Sequence, residues 1–76
     1  MFAELGRASR AEDGCVGYEV AQGSGDDRAT FVLFEKWRDQ AALDAHQEEE
    51  HFVRLALNGI RTFMTERRAM VGNLVE

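Results

Sequence analysis

The stretch ATFVLFEKW, residues 29–37, decides how this chain folds. It is dense in aromatic and β-branched residues, the composition of a strand. Side chains alternate across a strand, so Phe31, Leu33 and Trp37 share one face and Val32 and Phe34 the other. An antiparallel sheet with one solvated face alternates apolar with polar. Here both faces are apolar through most of the length. Helices of the same chain can cover one of them. The other needs a second subunit or another sheet, so the expected assembly is a homodimer packed through sheet faces.

Working outward, CVGYEVA at 15–21 reads as a second strand, with Val16, Tyr18 and Val20 on one face. The Gly, Ser and Asp cluster GSGDDR at 23–28 joins the two as a hairpin with a longer loop. MFAELGRASRAE at 1–12 carries Phe2, Leu5, Ala8 and Ser9 at helical spacing, and Gly14 follows as a stop. Asp39 is a good N-cap for a short helix, QAALDAH. A longer helix is expected from about Glu49 to Met64, with Phe52, Leu55, Ala56, Gly59, Ile60 and Phe63 on one stripe. The segment RAMVGNLVE at 68–76 reads as a closing strand. The order helix, strand, strand, helix, strand makes residues 1–76 a single α+β domain. A βαββαβ fold has one more strand at the front.

The 76 residues carry a net charge of −5, which argues against nucleic acid or an anionic membrane surface as partner. Arginines 38, 54, 61, 67 and 68 are spread along the second half and form no basic block. No apolar run approaches the roughly 18 residues of a membrane helix. The start MFAELGRASR has no apolar signal region. A cytoplasmic setting is the expectation. Cys15 is the one cysteine, so no intrachain disulfide can form. A core this small supplies only about 3–5 kcal/mol, and oligomerisation is the natural supplement.

Both histidines lie in HQEEEH, residues 46–51. As a zinc motif the run is one residue too long: on a continuous helix the two rings would point about 140° apart. His46 and Glu50 could share a face, but they are only two ligands. The stretch reads instead as a helix–turn–helix junction, its acids near a helix N-terminus, and no metal is assigned. His46 and His51 remain candidates singly, because a histidine beside an apolar pocket is a usable base near neutral pH. Tyr18 and Trp37 are strand aromatics whose polar tips could orient a phenolic ligand. Cys15 has no basic neighbour in sequence to activate it and reads as a structural thiol. GSGDD lacks the strand–turn–helix context of a phosphate loop.

Three pieces, EDGCVGYEV at 12–20, FVLFEKW at 31–37 and ALDAHQEEEHF at 42–52, together resemble the antibiotic biosynthesis monooxygenase (ABM) family. That pattern runs Glu-Pro-Gly-Cys, a Tyr-Glu strand, a strand ending Glu-x-Trp, then Ala-Leu-x-x-His and His-Phe. The resemblance implies a ferredoxin-like domain of the dimeric α/β-barrel type, an antiparallel sheet with helices on one face. It implies a cofactor-free monooxygenase acting on an aromatic or quinol-like small molecule, with neither metal nor flavin. His46 would be the catalytic base, and Tyr18, Trp37, His51 and Phe52 would surround the substrate. The chain departs from the pattern twice. Asp13 stands where the family has proline, and the family's first strand has no counterpart before the first helix. A late start codon, a sheet completed by a partner and a pared-down variant each account for the second departure. The alternative function is a non-catalytic, dimeric small-molecule-binding or vestigial domain.

Overall fold

The computed structural model describes residues 1–74. Helix α1, Phe2–Arg10, turns Leu5 and Ser9 into the interior. The chain then enters strand β1, Cys15–Gln22, which pairs antiparallel with strand β2, Phe31–Trp37. A 3-10 turn at Gly25–Asp27 fills the loop, and the Gly23 N–H donates to the Thr30 carbonyl at 2.8 Å. This is the long-looped hairpin expected from GSGDDR. Tyr18 stands opposite Glu35 and Val20 opposite Leu33 on one face; Glu19 faces Phe34 and Ala21 faces Val32 on the other. Cys15 pairs with Trp37 but Gly17 pairs with Lys36, so Val16 is a bulge. The extra residue shifts the alternation. Val16 therefore leaves the Tyr18 face, against expectation, and is 61% exposed.

Helix α2, Gln40–His46, begins where Asp39 accepts a hydrogen bond from the Ala42 N–H at 2.9 Å. That bond satisfies one of the free amides of the first turn. Gly14 lets α2 approach, because a Cβ there would collide with the Ala42 methyl.

The single helix expected over 49–64 is broken. A π-helical segment, Phe52–Leu57, widens the turn, with the Asn58 N–H donating to the Val53 carbonyl at 2.9 Å. Gly59 ends it, and a Cβ there would sit 2.5 Å from the Leu55 carbonyl oxygen. A 3-10 turn, Ile60–Phe63, follows. The wider turn keeps Leu55, Ala56 and Ile60 in the core, while Phe63 is left exposed. The core is Leu5, Tyr18, Leu55, Ala56 and Ile60, flanked by Phe2, Val20, Leu33, Trp37 and Phe52. Helices thus cover one face of the sheet. On the other, Val32 and Phe34 are exposed.

The closing strand does not form in the described residues: 64–74 have no regular structure, and 75–76 lie outside the description. Met70, Val71 and Leu74 have strand-like chemistry but are exposed. A strand is held by the edge it pairs with, and among the described residues the sheet contains only β1 and β2. No helix among the described residues is long and apolar enough to cross a membrane.

Candidate functional site

His46 is the last residue of α2 and is 1% exposed. The chain then turns through Gln47–Glu49, where the Glu48 N–H donates to Ala45 and the Glu49 N–H to His46, each at 3.1 Å. His51 lies on the helical run that resumes beyond the turn. HQEEEH is thus a helix–turn–helix junction, and the 140° separation of a continuous helix does not apply. Instead both imidazoles converge on one atom. His46 Nδ1 and His51 Nε2 each lie 2.6 Å from Glu12 Oε2. Glu12 comes from the turn between α1 and β1, and its side chain is 10% exposed. The three ligand-type atoms lie within 4.8 Å of one another.

With Nδ1–H donating to Glu12, Nε2 of His46 keeps its lone pair. That nitrogen is buried and has no hydrogen-bond partner among the described residues. Glu35 Oε1 stands 3.9 Å from it, held by the Trp37 indole N–H at 3.0 Å. The Trp37 ring covers the imidazole at 4.5 Å between centroids. Phe52 meets it edge-on at 5.0 Å, and Tyr18 lies at 6.0 Å. Of the five residues singled out in the sequence, Tyr18, Trp37, His51 and Phe52 therefore gather around the ring of the fifth, His46.

Two members of the cluster, Glu12 and Glu35, were missed as site residues. Each had a signal. Glu12 opens the quoted piece EDGCVGYEV, and Glu35 is the one acid among the inward positions of β2.

Burial, reinforced by the charge of Glu35, pushes the Tyr18 phenol up to about 12. Tyr18 therefore keeps its proton at neutral pH and acts as a neutral hydrogen-bonding group, not as a phenolate base. Burial also raises the Cys15 thiol, and the nearby Glu12 carboxylate adds to the effect. The thiol is protonated and a poor nucleophile, in line with the structural role read from the sequence.

Two open concavities of about 550 and 490 Å³ share Arg10, Tyr18, Glu19 and Phe34 in their linings, and neither is lined by His46. The imidazole is packed shut.

The profile of the family described as antibiotic biosynthesis monooxygenase matches residues 1–56. The chain belongs to this family. The ABM match contains the whole cluster, from Glu12 to Phe52. Over 44 residues the chain is 46% identical to "Putative monooxygenase YcnE" of Bacillus subtilis (strain 168), covering 58% of this chain and 45% of the relative. It is 40% identical over 45 residues to "Putative monooxygenase Rv0793" of Mycobacterium tuberculosis, covering 59% and 43%. Each match thus spans less than half of the curated relative. The crystal structure of PA3566 from Pseudomonas aeruginosa superposes with a TM-score of 0.64 at 41% identity, over 75% of this chain and 59% of that one. The ABM chain has the ferredoxin-like α+β fold, represented here by the β1–β2 hairpin and the helices on one of its faces.

Proposed function

We propose that this ABM domain is a cofactor-free monooxygenase that oxidises an aromatic, quinol-like small molecule with dioxygen. One observation carries the reading. His46 is a buried imidazole held at Nδ1 by a carboxylate, with its Nε2 left without a hydrogen-bond partner among Trp37, Phe52 and Tyr18. A base of this kind, fixed in tautomer and orientation, suits removal of a phenolic proton.

In the proposed sequence Nε2 takes the proton. The resulting anion passes one electron to dioxygen, and the two radicals combine at a ring carbon. Nε2 returns its proton to the peroxide so formed, and the hydroperoxide loses water with the hydrogen of that carbon, leaving a carbonyl there. One oxygen atom enters the product, the other leaves as water, and the substrate supplies all four electrons. Apolar walls protect the radical pair from bulk water. Trp37 and Glu35 cover Nε2, so one of these side chains must swing aside to admit a substrate.

The same reading includes a cytoplasmic homodimer, packed through the open sheet face with Val32 and Phe34 at its centre. Exposure of these two side chains supports it.

A second reading, a non-catalytic dimeric ligand-binding or vestigial domain, is favoured by the closed packing of His46. Oxygen uptake with a panel of naphthalene diols and anthrones separates the two. The enzyme reading expects catalysed uptake that falls by roughly 100-fold or more in His46→Gln, the range of a lost general base. An unchanged rate in that variant removes His46 from the mechanism. No uptake above the uncatalysed rate across the panel leaves the binding reading in place.

A further inference from the structure

We infer that Glu12, His46 and His51 form a binding site for a divalent transition-metal ion, with Zn²⁺ the best-matched occupant. Two imidazole nitrogens and one carboxylate oxygen are the donor set that first-row ions such as Zn²⁺ select over Mg²⁺ or Ca²⁺. The geometry is close to what the ion needs. Ligands about 2.0–2.1 Å from a tetrahedral zinc stand roughly 3.3 Å from one another. The two nitrogens already lie 2.6 Å from Glu12 Oε2, and the three atoms fall within 4.8 Å of one another. The ion fits once the carboxylate oxygen draws back by about 0.7 Å from each nitrogen and the two rings close on the space it leaves.

The second observation is the orphaned nitrogen. Histidines that bind metals commonly direct their other ring N–H at a carboxylate. When Nδ1 of His46 gives its lone pair to the ion, its proton moves to Nε2. There it points towards Glu35 Oε1, 3.9 Å away, and a closing movement of about 1 Å by the Glu35 side chain completes the hydrogen bond. The buried Nε2, without a partner in the metal-free protein, thereby acquires one.

Access is from the His51 side, where the ring is 15% exposed and the Glu48–Glu50 run lies at the surface. The remaining coordination positions open to water there, and the net charge of −5 favours approach of a cation. The inference goes beyond the proposed oxygenase and does not need it. An occupied site has no free lone pair on Nε2, so the ion and the base exclude each other at His46.

The test uses chelator-stripped protein and needs no substrate. Calorimetry with ZnCl₂ should give one ion per chain with Kd below ~10 μM, about 7 kcal/mol of binding. Titration with CoCl₂ should produce the intense visible bands of a nitrogen-ligated ion of low coordination number. Half-exposed or surface carboxylates alone would give a pale, water-like spectrum, which overturns the site. His51→Ala should weaken Zn²⁺ at least roughly 100-fold with the circular dichroism unchanged, and Glu35→Gln about 10-fold. Wild-type affinity in His51→Ala, or no saturable uptake by the wild-type chain, also overturns it.

Discussion

Tyr18 is the chain's one tyrosine, so its ionisation can be read directly from ultraviolet absorbance. Its folded-state pKa is raised to about 12 by burial, whereas an unfolded phenol titrates near 10. Below about pH 10 both states hold the proton and the contribution to stability is complete. Between about 10 and 12 the unfolded chain releases a proton that the folded chain keeps. Stability therefore falls as pH rises through that window, by roughly 3 kcal/mol in all. Chemical denaturation at pH 9 and pH 11.5 should show the loss. A native-state phenol that titrates near 10 would contradict the buried environment. At this scale strand alternation and helix spacing singled out the aromatic members of the cluster, and the chemistry of imidazole together with the family pattern singled out the histidines. It was silent on their shared partner. Glu12 lies 34 and 39 positions from the histidines it binds, and no local pattern encodes a contact of that range.

Among the elements, α2 has the most specific seat. Gly14 leaves no room for a side chain against Ala42. Gly14→Ala should destabilise the protein by about 1–3 kcal/mol, the range for overpacking. Adding Ala42→Gly should relieve the clash but retain a loss of about 1 kcal/mol from glycine in a helix. Urea midpoints of the single and double variants check this, and the absence of any recovery would mean that α2 docks otherwise. The two strands, the loop between them and the Asp39 cap were legible because each is a local signal. The long second helix was not. Its apolar stripe is buried at Leu55, Ala56 and Ile60 but not at Phe63, because the break at Gly59 depends on packing that the spacing does not record. Met1 Sδ would lie 2.7 Å from a Cβ at that position. The closing strand was over-read for a related reason. Strand propensity over 68–74 says nothing about whether an edge is available to pair with it.

For the whole molecule, the open face of the hairpin is an apolar surface that the helices of the same chain leave uncovered. Val32 and Phe34 are 60% and 53% exposed on the side away from the core. If two copies pack there, Phe34→Glu places like charges face to face and should convert a dimer into a monomer. Sedimentation velocity at micromolar concentration measures this. A wild-type monomer under those conditions would remove the sheet-to-sheet arrangement. This expectation came from β2 alone, whose two apolar faces could not both be served by the helices of one chain. The site itself belongs to this scale as well. Glu12 Oε2 ties the turn after α1 to both ends of the HQEEEH junction. Bringing residue 12 to residue 46 closes a long loop; bringing it to residue 51 afterwards adds almost no further entropy cost, since that cost grows only slowly with loop length. The two bonds should therefore form and break together. The carboxylate acts as a latch, and its constellation exists only in molecules whose chain has closed from α1 to the π-helical segment. A molecule that has locally opened at either end would have no half-built site, but none at all.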